Sequence, residues 1–339
     1  MRPEFRNAWV WLEIDSALLR GNLLGDPTRR RFPVYVPPQY VCEPNRRFPL
    51  VVYLVGYGGW GAMKLTEEKA WDQPLWARLD TAMLSGVLEP AIVAFPDCFT
   101  RFGGSQYVDS PVTGPYASHV CDELIPLLDQ TLRTQADRDR RAVMGKSSGG
   151  FGALHLAMTR PDTFGLCCAT AADSLFELST RHEFGKTLQA MEASGGPTAF
   201  VRDFFAGKPR HKHWMTAMMT LACAQAYSSN VDVPDIFADL PFDVDTCELV
   251  PDVWQRWLHA DPVHACARHV DALKSLRLLY LDAGRSDEWC LNYGHRALSH
   301  RLVALGVAHQ REEFDGGHMG IDHRIEVSLA KISQVLREI

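Results

Sequence analysis

Within the stretch RRAVMGKSSGGFGALHLAM, residues 140–158, one glycine carries two readings. Gly145-Lys146-Ser147 matches the end of a phosphate-binding loop, G-x-x-x-x-G-K-[ST]. That loop needs a glycine at position 140, which is Arg, so no nest of backbone N–H groups can surround a phosphate there. Gly145-Lys146-Ser147-Ser148-Gly149 also matches G-x-S-x-G, in which a serine sits on a sharp turn between a strand and a helix. The spacing selects Ser147, because Ser148 as nucleophile would need glycine at 146, where Lys stands. Ser148 is then expected to give its backbone N–H to an oxyanion at the helix N-terminus.

A serine hydroxyl attacks only when a base takes its proton, and the base needs an orienting carboxylate. In this arrangement the chain order is serine, acid, histidine. His318, in the loop of EEFDGGHMGID, is the expected base, ahead of His323 five residues on. Asp287 in LLYLDAGRSDEW lies just past a strand and is the expected acid. Asp282 reads as structural, and Asp173, after another apolar run, is the alternative acid. A second oxyanion donor is expected early in the sheet, where YLVGYGGWGAM offers Gly56, Gly58 and Gly59; the Tyr57 N–H is the choice. Trp60, Tyr107, Tyr116 and Trp289 fall in or beside loops that should open onto the site, so they are candidates for the substrate pocket together with Gly56 and Gly58.

The elements that must position these residues are short apolar runs at 50–55, 91–95, 142–144, 164–170 and 276–282, with the continuous character of strands buried on both faces. Helical patterns at 116–132, 149–159 and 292–306 and at the C-terminus separate or follow them. The alternation predicts an α/β fold with a mostly parallel central sheet and helices on both faces. NLLGDPTRRRFPVYVPPQY predicts a hairpin or edge strand ended by Pro37-Pro38. Residues 174–260 break the alternation and read as a mainly helical cap, leaving 1–173 and 261–339 as the core. His211-Lys212-His213 lacks partner ligands at metal spacing and reads as a solvated cap loop, and the methionines of MTAMMTLACAQA read as the cap's apolar face.

A chain of 339 residues, 46% hydrophobic and 22% charged, can bury a large core. Its net charge of −6 argues against a nucleic-acid or anionic-membrane surface. No secretory signal is expected in MRPEFRNAWVWLEIDSALL, and no apolar run reaches membrane-spanning length. Nine cysteines without C-x-x-C spacing read as reduced thiols of a cytoplasmic protein.

Taken in order, VVYLVGYGG, AIVAFPDCFTRFGGSQYVDSPVTGPYASHVCDELIPLLD, MGKSSGGFGALHLAM, LYLDAGRSDEW and EEFDGGH resemble the Putative esterase family of α/β-hydrolases over nearly the whole chain. That family includes esterase D, S-formylglutathione hydrolases, feruloyl esterase domains and mycolyl transferases. The resemblance implies a Ser147–Asp287–His318 triad with Tyr57 and Ser148 amides as oxyanion donors. Val55 and Lys146 stand where members often have histidine, which bears on the glutathione-thioester substrate and not on the acyl chemistry. The expected function is hydrolysis of carboxylic esters, short-chain acyl or aryl, through an acyl-enzyme, without cofactor or metal. The alternatives are acyl transfer from the same intermediate and a non-catalytic binding protein on this scaffold. The expected partner is a small-molecule ester, not nucleic acid or membrane, and a homodimer stays open.

Overall fold

The computed structural model describes residues 8–65 and 73–339; the first seven residues of the stretch read for a signal lie outside it. Eight strands form one sheet: β1 (Trp9–Asp15), β2 (Arg29–Tyr35), β3 (Leu50–Leu54), β4 (Ile92–Ala94), β5 (Arg141–Lys146), β6 (Leu166–Thr170), β7 (Leu278–Gly284) and β8 (Gln310–Phe314). Their spatial order is β1-β2-β4-β3-β5-β6-β7-β8. The run before Pro37-Pro38 is the inner strand of an antiparallel pair, β1 with β2, the first of the two expected forms, and β1 takes the edge. β2 meets β4 antiparallel, and every pairing from β4 to β8 is parallel.

The unbroken apolar strands are explained by two covered faces. Leu50, Val52 and Leu54 of β3 enter one apolar cluster, with helices α2 (Ile125–Thr131), α3 (Ser148–Thr159) and α8 (Leu291–Ala304). Val51 and Tyr53 enter another, against α1 (Leu75–Leu84) and α9 (Arg324–Glu338). The adjacent thiols follow the same period of two: Cys167 faces the first cluster and Cys168 the second. All nine cysteines are free. No helix among the described residues is long and apolar enough to cross a membrane.

The helix expected over 116–132 is divided. A turn at Tyr116–Ser118 passes into a wider π-helical segment, His119–Leu124, and only then into α2. Pro126 accounts for the break, since it has no N–H to donate and its ring crowds the carbonyl four residues back.

Between β6 and β7 the chain is mainly helical, through α4 (Phe184–Glu192), α5 (Pro197–Phe205), α6 (Trp214–Tyr227) and α7 (Pro251–Ala260). These helices enclose a third cluster of Phe184, Phe200, Leu221, Phe242 and Trp257, joined by Phe102 and Phe151 from the rest of the chain. The two ends of the segment meet at Asp261, whose carboxyl accepts the Leu175, Phe176 and Val263 amides at 3.1, 2.6 and 2.9 Å.

Parallel register brings the carboxyl ends of the central strands level. Leu54 pairs with Gly145, Gly145 with Ala169, Thr170 with Asp282, and Gly284 with Phe314. The loops that follow therefore open on one edge, where ligands bind in sheets of this kind.

Candidate active site

The turn after β5 depends on its two glycines. A Cβ at Gly149 would lie 2.0 Å from the Leu54 carbonyl oxygen, and one at Gly145 would lie 2.3 Å from the Gly149 oxygen. With both absent, α3 packs directly on β3, and Ser147 takes φ 59°, ψ −127°. A non-glycine residue in that region is strained, and such strain gathers at functional sites. The Ser147 amide is held by Thr170 O at 3.0 Å and its carbonyl by the Phe151 amide at 2.9 Å. The side chain is thus raised at the head of α3.

His318 and Asp287 come from the loops after β8 and β7. His318 Nδ1 lies 2.9 Å from Asp287 Oδ2. Asp287 Oδ1 accepts the Trp289 amide at 2.9 Å and the Leu291 amide at 3.3 Å, so the carboxylate is fixed from behind. Both groups are buried. The His318 amide donates to Glu288 Oε2 at 2.6 Å, and the Trp289 ring stands edge-on to the imidazole at 4.8 Å. The Ser147 hydroxyl is turned toward Asp173, whose Oδ1 lies 3.4 Å from Oγ; the neighbouring Ser148 hydroxyl donates to Oδ2 at 2.8 Å.

Gly56 brings the loop after β3 against the nucleophile, since a Cβ there would meet Lys146 O and Ser147 Cβ at 3.3 Å. Tyr57 turns its ring away, over Gly103, and its hydroxyl donates to Phe102 O at 2.7 Å. Among the described residues, neither the Tyr57 nor the Ser148 amide donates to a protein acceptor. Both N–H groups remain available to an oxygen from outside.

A cleft of about 420 Å³ opens over these groups, and Gly56, Tyr57, Gly58, Trp60, Ser147, Trp289 and His318 all line it. Tyr107 and Tyr116 do not, which corrects their place in the expected pocket. Tyr107 is buried against Gly152 and donates to Val55 O at 2.7 Å; Tyr116 is fully buried and accepts from Arg30 at 2.6 Å. Both serve the core, because the loops that carry them fold beneath the site. Asp282 pairs with Arg324 at 2.6 Å, and His323 stands against Phe314, so neither takes part.

Other lining residues carry no sequence signal for a pocket role. Asp173 lines the cleft beside the nucleophile, and Thr180, Glu183, Met215, Met219 and Cys223 reach in from the helical segment. Met215 and Met219 carry one faint mark, the helical spacing of four, which says that they share a face and not what the face meets. Glu177, Asp261 and His264 bring possible ligand atoms within 4.8 Å of one another. Asp261 already accepts three amides, which makes it a helix cap and tie and leaves a cation poorly served.

The family description "Putative esterase" matches residues 27–324. Among curated relatives, an endo-1,4-beta-xylanase/feruloyl esterase of Xylanibacter ruminicola is 31% identical over 137 residues, 39% of this chain and 18% of that protein. An iron(III) enterobactin esterase of Dickeya dadantii is 32% identical over 123 residues, 36% of this chain and 25% of that protein. The chain thus spans a quarter or less of the length of these two. A ferulic acid esterase structure superposes with a TM-score of 0.62 at 17% identity, covering 96% of this chain and 97% of that one. An S-formylglutathione hydrolase from Agrobacterium tumefaciens gives a TM-score of 0.53 at 16% identity, with 96% and 95% covered. At such identities the two structures speak for the α/β-hydrolase fold alone. The match to the family over most of its length places this chain in the Putative esterase family.

Proposed function

We propose that the protein is a serine hydrolase of carboxylic esters, with Ser147 as nucleophile, His318 as base and Asp287 as its orienting acid. The observation that carries this reading is the buried 2.9 Å contact between His318 and Asp287 in the loops beside a serine on a strained turn. Asp287 favours the tautomer in which Nδ1 bears the proton, which leaves Nε2 free to accept one. On substrate binding Ser147 swings from Asp173 to Nε2 and attacks the carbonyl carbon, passing its proton to His318. The Tyr57 and Ser148 amides then hold the oxyanion, each worth roughly 2.7–4 kcal/mol in enzymes of this type. His318 protonates the departing alcohol, and afterwards takes a proton from the water that releases the acid.

Met215, Met219, Trp60 and Trp289 make much of the cleft apolar, which suits a short acyl or aryl group, as do the names of the feruloyl and enterobactin relatives. We read residues 174–260 as a cap on the core, since α6 supplies one wall. The free thiols suit a reducing compartment, and we place the protein in the cytoplasm on that ground.

The test is hydrolysis of p-nitrophenyl butyrate together with labelling by a fluorophosphonate, with the adduct located by mass spectrometry. Turnover and labelling at Ser147 are expected, and both should vanish in Ser147→Ala. Undiminished turnover in that variant sinks the mechanism.

A further inference from the structure

Asp173 has no step in the mechanism above, yet the chain builds a rigid support to hold it against the nucleophile. After β6 the backbone turns through Ala171 at φ 42° and Leu175 at φ 54°, two non-glycine residues in the left-handed region. The Ala172 amide between them donates to Nε2 of His295 at 2.9 Å, and burial keeps that imidazole neutral by lowering its pKa to about 4. Gly294 lets α8 approach so closely that a Cβ would lie 2.8 Å from the Ser174 carbonyl oxygen. The Asp173 amide points to Ser147 O at 3.4 Å. Asp173 is 8% exposed and lines the cleft. Burial raises its pKa above the usual range; the Ser148 hydroxyl and His318 oppose the rise, and Asp287 adds to it.

We propose that Asp173 selects the acyl group, by accepting a hydrogen bond from a hydroxyl on the carbon next to the scissile carbonyl, so that the preferred substrates are 2-hydroxyacyl esters. This rests on Ser147 being the nucleophile. In the free protein Ser147 Oγ is the neighbour of Asp173 Oδ1 at 3.4 Å. Attack joins Oγ to the carbonyl carbon and sends the serine proton to His318, so Oδ1 loses its donor while remaining buried. A hydroxyl at C2 is three bonds from Oγ and, by standard bond lengths, roughly 2.7–3.6 Å from it. In the free protein Oδ1 lies 3.4 Å from Oγ, and turning Oγ about the Cα–Cβ bond toward Nε2 moves it by only about 2.5 Å, so a C2 hydroxyl on the Asp173 side still comes within hydrogen-bond range of Oδ1. An acyl group with hydrogen or methyl there leaves a buried acceptor unpaired, and sites built to bond a hydroxyl discriminate against analogues without one. A hydroxyl has one proton to place and Oδ1 takes it, whereas an ammonium in the same position brings three N–H donors of which Oδ1 can serve only one.

Ethyl lactate and ethyl isobutyrate differ at C2 by hydroxyl against methyl, and ethyl alaninate places an ammonium there. Initial rates in a pH-stat, each divided by the ester's hydroxide-catalysed rate, give the enzymic preference. Wild-type protein is expected to prefer one lactate enantiomer over isobutyrate by roughly 10- to 100-fold in kcat/KM. The preference should fall to within about threefold in Asp173→Ala and Asp173→Leu, and part of it should survive in Asp173→Asn, which keeps an acceptor oxygen. A corrected wild-type preference below about threefold overturns the proposal without any variant. So does a preference that persists in both Asp173→Ala and Asp173→Leu, or one for alaninate over lactate. If isobutyrate and p-nitrophenyl butyrate are hydrolysed and Ser147 is labelled, such a failure belongs to the hydroxyl reading alone. Absence of all turnover and labelling overturns both.

Discussion

Replacing Asp287 by Asn changes one atom and tests the acid in two ways. The carboxylate Oδ1 accepts the Trp289 and Leu291 amides, and Oδ2 faces His318 Nδ1 at 2.9 Å. An asparagine must keep its carbonyl oxygen toward the two amides, because an NH2 there would meet two donors. Its NH2 therefore faces Nδ1, which must now accept, and the imidazole proton moves to Nε2. A protonated Nε2 cannot take the proton of Ser147. The second effect is the loss of charge. With the carboxylate and imidazolium centres about 4 Å apart and an effective dielectric of about 20, their attraction is worth about 4 kcal/mol, or about 10³ in rate. The tautomer adds to this, and roughly 10³- to 10⁴-fold loss of kcat is expected.

The assay is kcat for p-nitrophenyl butyrate, with thermal unfolding as a control for the fold. A loss of less than about tenfold in folded Asp287→Asn would refute the assignment. A full collapse in Asp173→Asn with little in Asp287→Asn would move the acid to Asp173, the alternative that the sequence leaves open.

Gly149→Ala sets a Cβ 2.0 Å from a backbone oxygen, so α3 must leave β3; a loss of more than about 3 kcal/mol is expected, seen as a lowered urea midpoint. His295 is 1% exposed, with its pKa lowered by burial to about 4, against about 6.5 in an unfolded chain. As the pH falls the unfolded chain takes the proton first, so stability present above 6.5 is lost progressively down to pH 4, by at most about 3 kcal/mol. His295→Gln retains an acceptor for Ala172 and should show a flatter dependence in urea titrations; equal slopes would refute that cause. Met219→Ala lengthens the cleft, and each methylene of a longer acyl chain that it newly buries should raise kcat/KM by roughly fourfold relative to wild type. An unchanged chain-length profile would put the acyl group elsewhere.

What was legible in the sequence was fixed by local sterics or by burial on two sides. Gly145 and Gly149 announce the turn because no other residue fits, whatever lies around it. The runs at 50–55 and 164–170 announce strands because helices cover both faces. Chain order and loop position single out Asp287 and His318, and the structure brings them together. Tyr107 and Tyr116 show the limit: an aromatic in a loop near the site has the same sequence signature whether it turns into the cleft or beneath it. Their hydroxyls meet Val55 O and Arg30, partners 52 and 86 positions away. Asp173 stands out in the sequence by its place after a strand, but the loop that aims it is held by His295, more than a hundred residues on.

Which side of the helical segment meets the site is illegible for a related reason, which α6 makes plain. Met215, Thr216, Met219, Thr220 and Cys223 lie on one side of that helix and line the cleft; Ala217, Met218, Leu221 and Ala222 lie on the other and pack among the helices around it. Both sides are apolar or nearly so, because one meets a core and the other a largely apolar cleft. A helix with two such faces has little amphipathic contrast, so its sequence cannot say which side is the site. The core, by contrast, brings the loops of Tyr57, Ser147, Asp173, Asp287 and His318 to one edge through strand register, and contacts such as Ala172 to His295 and Trp289 to Asp287 then fix them there. On the proposed mechanism, reaction and selectivity are carried by different parts of the chain. The core would present the groups that act on the ester, while α6 and the loop of Asp173 would decide which ester fits. Substitutions on the cleft face of α6 should accordingly change substrate preference more readily than the rate of the chemical step.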